Sequence, residues 1–498
     1  MVNFIKRLYS EKPVLMLLLI CTLSVIMWIG RGEFYTKGEP REASVALSMI
    51  KRNKWVLPDV YAGETAYKPP FTHWITAVLS LPQGKVTPFT ARLPSALAFT
   101  GMIAVLFICF RRHINKETAF LACLIVLSCI ELHRAAMTAR VDMMLSGLTV
   151  IALVTMFQWE QNKLRGFQVW TVLAMSCATL TKGPVGIIIP LLVFFIYLLL
   201  LKYNFVKILV KLVPIALASL VLPAIWYYFA WLEGGESFLN LMWAENLGRF
   251  FGQKNLPISY ELGHEEGWWY NFMTLAAGFF PWTLLFLFSF DRKMTKIFKL
   301  ESLSKPFLFS LVSAVTIIVF YCIPLSKRSV YLMPAYPFIA ILGAQYILYI
   351  KKKKPWLRHL YKIVSIYIVL WIAIDAFVLP FYKNSITEKP FAEQIKQKYP
   401  NLLQNLYAVN NLKEYSNMYG LNFYLDSSFS NFEETKPEKG YLLIGKSSFN
   451  KIKKRHSNDY QFSLLEKYIN QKRLGRWYFS ADGEREIFLV SFIKNNDI

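Results

Sequence analysis

The chain is short of acidic residues, of cysteine and of charge in general, and each shortage excludes a class of protein. Aspartate and glutamate number 32 against 56 lysines and arginines, which gives a formal net charge of +24. All six cysteines lie in apolar runs and the hydrophilic tail has none, so a disulfide framework or a cysteine metal site is not expected. Charged residues make up only 18% of the chain and hydrophobic residues 55%, which argues against a soluble enzyme of this length.

The sequence contains many long apolar runs without charged residues. Runs of about twenty apolar residues recur, and a helix of that length crosses the hydrocarbon core of a bilayer. Strands are excluded for these runs because open sheet edges leave backbone groups unsatisfied in lipid. The first run lacks a small-residue cleavage site and is expected to remain as an anchor. The sequence therefore predicts an all-α polytopic membrane protein with about eleven spans, at 13–30, 94–110, 117–133, 142–159, 167–181, 184–201, 208–231, 271–290, 306–324, 330–350 and 360–380.

The distribution of basic residues predicts the orientation. With the N-terminus in the cytoplasm, every connection that falls inside carries lysine or arginine, as cytoplasmic loops usually do. This explains most of the net charge without a nucleic-acid partner, and none is expected. The location predicted is the cytoplasmic (inner) membrane, with long outer loops at 31–93 and 232–270.

The tail after the last span has a different composition. Residues 1–383 form the predicted membrane domain, and residues 384–498 are polar with short strand-like runs. The strand-like runs alternate with helical patterns such as "FAEQIKQKY", which predicts a small α/β domain. The topology places this domain outside the cytoplasm. The predicted strands are "NLYAVN", "LNFYL", "GYLLIG" and "EIFLVSF".

The preference of basic residues for cytoplasmic loops does not explain the cations on the predicted outer side, which need another explanation. One explanation is contact with lipid headgroups or local salt bridges, and the other is a bound lipid phosphate, which both arginine and lysine suit. For the set as a whole, in seven separate contexts, we favour the phosphate. The cations are Arg41, Lys68, Arg92, Arg134, Arg140, Lys182, Arg249, Lys327 and Arg328.

Three acidic residues stand beside these cations. Pro40 can start a helix in the first outer loop, and the apolar residues after it recur at helical spacing, which predicts an amphipathic helix at the membrane surface. Glu39 and Glu42 either complement the start of that helix or include a general base tuned by Arg41. Asp142, two residues after Arg140, is either a functional acid at the outer end of a span or a structural partner of Arg140 or Lys182.

A further polar stretch, "GHEEGWWYN", contains His264, Glu265 and Glu266. Adjacent residues seldom point at one metal ion, so aromatic anchoring at the interface by Trp268 and Trp269 is the favoured interpretation.

The motifs together resemble those of the bacterial GT-C membrane glycosyltransferases related to protein O-mannosyltransferases and to the 4-amino-4-deoxy-L-arabinose transferase of lipid A. Each motif is weak alone, but their order and predicted side agree with that superfamily over most of residues 1–350. The motifs are "GEPREA", "YKPPFTHW", "RLPSALA", "ARVDM", "TKGPVG", "ENLGRF" and "SKRSVYLMPAYP".

This resemblance implies a polyprenyl-phosphate sugar as donor, transferred with inversion to an acceptor such as lipid A, another envelope glycan or a protein. It implies catalytic roles for Glu39, Glu42 and Asp142. The residues expected to bind the donor phosphate are Arg41, Lys68, Arg140, Lys182, Arg249, Lys327, Arg328 and Tyr331.

The chain departs from the family pattern at three positions. Gly38 stands where the family has its first-loop aspartate, so the acid role passes to Glu39 or Glu42. Tyr67 and Asn246 stand where some relatives have a metal-associated glutamate and histidine. No cofactor or metal site is predicted, and dependence on a divalent metal stays open. The alternatives are a transporter or flippase of a lipid-linked sugar, disfavoured because the polar motifs cluster at one face rather than at the midplane, and an inactive relative that binds a glycolipid.

Overall fold

The computed structural model describes residues 2–36, 38–60, 65–66, 68–251, 265–289, 303–351, 355–409, 412–426, 429–469 and 486–495. Its internal contacts divide the chain into two units. Unit 1 comprises Met1–Ile29, Tyr67–Thr72 and Arg92–Ile374, and unit 2 comprises Gly30–Ala66, His73–Ala91 and Asp375–Ile498. The units interleave along the chain, and the domain boundary predicted at residue 384 stays a prediction.

Unit 1 is helical and contains the apolar runs. Its helices are α1 (Val2–Glu11), α2 (Pro13–Cys21), α5 (Pro88–His113, of which the part from Arg92 belongs to unit 1), α6 (Lys116–Ser128), α7 (Ile130–Ala136), α8 (Val141–Gln161), α9 (Val169–Lys182), α10 (Val185–Leu200), α11 (Phe205–Trp243), α12 (Arg249–Phe251), α13 (Tyr270–Gly278), α14 (Trp282–Ser289), α15 (Lys305–Cys322), α16 (Tyr336–Lys351) and α17 (Leu360–Ala373). Helix α9 packs against α8, α10 and α11, so its C-terminal end is held on three sides.

The described helices support a multi-pass membrane protein. Within the described ranges, six helices are long and apolar enough to cross a membrane, or eight if each of two bent helix pairs is one span. Two shorter apolar helices, Pro13–Ile26 and Val185–Leu200, match other predicted spans. The predicted total of eleven therefore stays a prediction.

Two of the predicted spans, 117–133 and 271–290, are each broken into two helices. Helices α6 and α7 meet at 69°, and α13 and α14 meet at 99°. Cys129 takes an extended conformation between α6 and α7, and Pro281, which lacks an N–H, precedes α14. The two breaks contact each other: the Ile130 N–H donates to the Phe280 carbonyl (3.2 Å) and Trp282 Nε1 donates to Ser128 Oγ (2.9 Å). Polar groups freed at one break are thus satisfied at the other, as an apolar environment requires.

Unit 2 contains a mixed five-stranded sheet, which confirms the small α/β element predicted in the tail. The strand order is β2-β1-β3-β5-β4, with β1 parallel to β2 and β3 and the other pairs antiparallel. Alternate residues of β3 and β5 enter two separate apolar cores, one on each face. The elements are α3 (Gly38–Arg52), α4 (Phe71–Ser80, in unit 2 from His73), α18 (Leu379–Ser385), α19 (Lys389–Lys398), β1 (Leu406–Ala408), α20 (Leu412–Tyr424), β2 (Ser430–Asn431), α21 (Phe432–Thr435), β3 (Lys439–Gly445), α22 (Lys446–Arg455), β4 (Tyr460–Ile469) and β5 (Glu486–Lys494).

The tail prediction was wrong for one run and incomplete for another. "LNFYL" lies mostly in helix α20 rather than in a strand, because Met418, Leu421 and Leu425 are buried at helical spacing in one core. Strand β4 was not predicted. It lies at the edge of the sheet, and its exposed and partly buried residues do not alternate strictly.

The helix predicted in the first outer loop is present as α3, but it is not a surface helix with one apolar face. Most of its residues from Glu39 to Met49 are buried within unit 2. Asn422 of α20 donates to Ser44 Oγ (3.5 Å), and the Arg41 guanidinium lies 5.9 Å from the centre of the Tyr419 ring. Burial all round explains its many small residues, because alanine and serine allow helices to approach closely.

Candidate active site

The C-terminal end of α9 places Lys182 in a cavity of unit 1. Gly183 follows with φ +81° and ψ −159°, a conformation that is essentially restricted to glycine. The Gly183 N–H donates to Thr179 O (2.7 Å), and its carbonyl accepts from the Gly186 N–H (3.1 Å). The "TKGP" motif is therefore a sharp turn that ends one helix at a lysine and starts the next.

Asp142 is the ion-pair partner of this lysine. Lys182 Nζ donates to Asp142 Oδ1, and Arg140 Nε lies 3.4 Å from Oδ2. Lys68 also acts electrostatically on the Asp142 carboxylate. Both pairs considered for Asp142 from the sequence thus exist, and they hold the lysine in position.

A cavity of about 110 Å³ lies at this point. Lys68 and Lys182 line it, and Lys182 Nζ lies 4.2 Å from the centre of the Tyr331 ring. The sequence predicted these three residues as phosphate contacts, and the fold brings them together. The other lining residues are Pro69, Val185, Glu245, Asn246, Phe250, Phe320, Tyr321, Pro324 and Ser326.

The segment "SKRSVY" forms one wall and is anchored at both ends. Lys327 is buried and its Nζ donates to the carbonyls of Pro324 (2.8 Å) and Glu266 (3.0 Å). Ser329 Oγ donates to Glu131 Oε1 (3.0 Å). Lys327 is not among the residues that line the cavity, so its contacts fix the wall, and the phosphate role predicted for it stays a prediction.

Other outer cations fill structural positions. Arg92 is fully buried and donates to the Ile29 carbonyl (2.8 Å), and Arg134 forms two hydrogen bonds with Glu131 (2.7 and 3.0 Å). These two fit the salt-bridge and local-contact explanation. Arg328 is half-buried, and its Nε has no hydrogen-bond partner among the described residues. The side chain of Arg249 lies outside the described residues.

The glutamates of the first loop lie in unit 2, where Glu42 belongs to a buried polar cluster. Its Oε1 accepts from Arg41 (3.0 Å), and its Oε2 lies 2.8 Å from His73 Nε2. Glu39 is fully buried, and its backbone N–H donates to Thr36 Oγ1 (3.2 Å), which caps the helix. His73 could not be predicted from the sequence, because a single histidine in an apolar stretch shows no spacing pattern.

The structure describes one of the two residues at the family's metal-associated positions, Asn246. Asn246 Nδ2 donates to the Met242 carbonyl (2.8 Å), and its Oδ1 packs against Gly183. Tyr67 and His264 lie outside the described residues. Across the described ranges, no group of three or more His, Cys, Asp or Glu side chains is placed to hold a metal.

Comparison with known proteins bears on this arrangement. The family described as dolichyl-phosphate-mannose-protein mannosyltransferase matches residues 67–229, which include Lys68, Asp142 and Lys182. The undecaprenyl phosphate-alpha-4-amino-4-deoxy-L-arabinose arabinosyl transferase of Serratia proteamaculans (strain 568) is 26% identical over 352 residues, covering 68% of this chain and 60% of that protein. The chain is related to the GT-C membrane glycosyltransferases.

Two further matches extend this relationship. An uncharacterized protein of Aquifex aeolicus (strain VF5) is 29% identical over 371 residues, covering 73% of this chain and 67% of that protein. The crystal structure of ArnT from Cupriavidus metallidurans bound to undecaprenyl phosphate matches with a TM-score of 0.69 and 19% identity, over 96% of this chain and 97% of that one. This structural match shows that the two chains share a fold along almost their whole length.

Proposed function

We propose that this protein transfers a sugar from a polyprenyl-phosphate donor to an acceptor on the outer face of the cytoplasmic membrane. The observation that carries the proposal is the unit 1 cavity, where Lys68 and Lys182 meet beside Tyr331. Two ammonium groups in a partly apolar cavity suit a phosphate that arrives on a lipid. Relatives whose names include undecaprenyl phosphate support the donor class.

The leaving group is the polyprenyl phosphate. As the acceptor oxygen bonds to C1 of the sugar, the C1–O bond to the phosphate breaks and its electron pair stays on the phosphate. Lys68 and Lys182 stabilise that growing negative charge, which matters most where water is scarce. Asp142 acts through Lys182, because it fixes the position of the ammonium group. Holding donor and acceptor together supplies much of the remaining rate.

The proton of the acceptor hydroxyl passes to a carboxylate, for which we propose Glu39 or Glu42. This assignment rests on the sequence resemblance. A phosphate acceptor would need no base. If Glu39 is the base, Glu39→Gln abolishes turnover and Glu42→Gln retains it, whereas the reverse result assigns Glu42. If both variants remain active, the result favours a phosphate acceptor.

The proposal is tested with the full-length protein in membranes and a labelled polyprenyl-phosphate sugar. With extracts of the same cell envelope, we expect release of free polyprenyl phosphate and label on a lipid, glycan or protein acceptor, identified by mass spectrometry. Movement of the label across the bilayer without cleavage would favour the flippase, and binding without either would favour an inactive relative.

The matched variants are Lys68→Met and Lys182→Met, with Lys362→Met, an exposed lysine of α17, as control. A hydrogen bond to a charged group contributes about 1.5–3 kcal/mol, so each cavity variant is expected to weaken binding of the donor by about tenfold to a hundredfold. Equal donor binding by all three variants would contradict the assignment of the cavity.

A further inference from the structure

Ser326 lies in the wall of the unit 1 cavity, and its hydroxyl has no partner among the residues that the structure describes. Its side chain is buried, at 6% exposure, and it lines the cavity with Lys68, Lys182 and Tyr331. Its Oγ has no hydrogen-bond partner within the described part of the chain. A buried hydroxyl without a partner destabilises a fold, so a native position of this kind calls for an explanation.

The backbone around Ser326 is held firmly. Ser326 pairs with Glu265 in an antiparallel bridge, and the Glu266 N–H donates to the Leu325 carbonyl (3.3 Å). The buried ammonium of the next residue, Lys327, donates to Pro324 O and Glu266 O. The backbone that carries the hydroxyl is therefore held in place beside the cavity.

We propose that Ser326 is a donor-phosphate contact, its hydroxyl donating a hydrogen bond to a phosphate oxygen that Lys68 and Lys182 also bind. This inference rests on the proposed function, since it assumes that the cavity takes the phosphate of a lipid-linked sugar. The two lysines bring charge but little direction, because an ammonium group is a compact point charge. A hydroxyl on a backbone segment held in place donates a hydrogen bond in one direction, and so determines which phosphate oxygen faces the sugar.

The chemistry of the neighbours favours a phosphate over a structural role. A serine that served the fold would bond to a backbone carbonyl, as Ser310 does to Pro306 O (2.8 Å) in α15. Ser326 makes no such bond with any described residue, and it lines the cavity together with two lysines. Its loss should therefore leave the ligand-free protein as stable as before, or slightly more stable, while weakening phosphate binding.

The test uses the full-length protein in detergent and two probes, undecaprenyl phosphate and undecaprenol, which differ only in the phosphate. The variants Ser326→Thr and Ser326→Val are nearly equal in shape, but only threonine keeps the hydroxyl. The control is Ser313→Ala, which removes another buried hydroxyl that lacks a described partner but does not line the cavity. Dissociation constants and thermal midpoints are measured for each.

We expect Ser326→Val to bind undecaprenyl phosphate about tenfold to a hundredfold more weakly than Ser326→Thr, with equal binding of undecaprenol. Ser313→Ala should match the wild type for both probes, and Ser326→Ala should keep its ligand-free thermal midpoint. Equal binding of the phosphate by the threonine and valine variants would overturn the inference while leaving the proposed function intact. A lowered midpoint or failed folding of Ser326→Ala would also overturn it, because the hydroxyl would then serve the fold. A wild-type protein that does not prefer undecaprenyl phosphate to undecaprenol would instead overturn the proposed function.

Discussion

Replacing Gly183 with alanine tests how the turn after α9 positions Lys182. The backbone there has φ +81° and ψ −159°, where a side chain is strained. An added Cβ would also fall on Asn246 Oδ1, well inside contact distance. Because Asn246 and Lys182 both line the donor cavity, relief of the strain must move one wall or the other.

The size of the effect follows from these two parts. The backbone strain is worth about 1–3 kcal/mol. Displacing Asn246 adds about 1 kcal/mol, through loss of the hydrogen bond from its Nδ2 to the Met242 carbonyl (2.8 Å). We therefore expect Gly183→Ala to lower the free energy of unfolding by about 2–4 kcal/mol, and to weaken binding of undecaprenyl phosphate.

Two other glycines separate strain from the close contact. Gly166 has φ +73° and a Cβ there would meet no atom within 4 Å, so Gly166→Ala should cost only the strain, about 1–2 kcal/mol, and should not change donor binding. Gly101 lies inside α5 with open space and no positive φ, so Gly101→Ala should be neutral or stabilise slightly. Thermal unfolding in detergent, followed by the fluorescence of the 14 tryptophans, measures all three variants.

A double variant isolates the contact with Asn246. In an Asn246→Ala background, Gly183→Ala should cost about 1 kcal/mol less than in the wild type, since the clash is gone. Independent, additive effects of the two substitutions would refute the contact. Wild-type stability of Gly183→Ala would refute the backbone argument as well.

Two further predictions concern ion pairs. Asp142→Asn removes the buried partner of the Lys182 ammonium, whose side chain is 19% exposed, and should destabilise the protein by about 3–5 kcal/mol in denaturation measurements. The control Arg7→Met breaks an exposed pair with Glu11 and should change stability by less than about 1 kcal/mol. Equal effects of the two variants would contradict the buried pair. In unit 2, the hydrogen bond from Lys389 to Glu33 (2.8 Å) raises the pKa of Lys389 above 10.5. The stabilisation that this pair gives the folded protein is therefore complete below pH 10.5 and is lost as the pH rises through the higher pKa of the folded state. Lys389→Met should be less stable than the wild type at neutral pH and equally stable in strong alkali. A stability difference that persists in strong alkali would refute the pair.

Three residues that the sequence singled out from separate motifs line one cavity of unit 1, whereas the course of the chain was harder to predict. Lys68 and Lys182 stand in separate motifs, and their chemistry marked them because cations on the predicted outer side oppose the orientation signal. Tyr331, in a third motif, was marked by the family resemblance. Ser326 could not be found this way. A single serine becomes notable only when the fold buries it and leaves its hydroxyl without a described partner.

The two broken spans show a second feature that could not be predicted from the sequence. A hydropathy run reports that a segment is apolar, but not whether its helix is continuous. The break at Cys129 is stabilised by the Phe280 carbonyl, which lies about 150 residues further on. In unit 2, "LNFYL" has strand-like composition, and its helical conformation depends on burying Leu421 and Leu425 on one side, a tertiary effect that overrides local preference.

The buried first-loop helix has a consequence for how the protein is made. Phe34 N–H donates to the Tyr424 hydroxyl and Arg31 to the Ala376 carbonyl, across 390 and 345 positions of chain. During synthesis, residues near position 40 leave the ribosome long before the segments that cover them exist. We infer that the apolar and acidic side chains of α3 stay uncovered until the residues near 424 have been synthesised. Burial of this early segment is then a late step of assembly, and a chaperone could act on it in the interval.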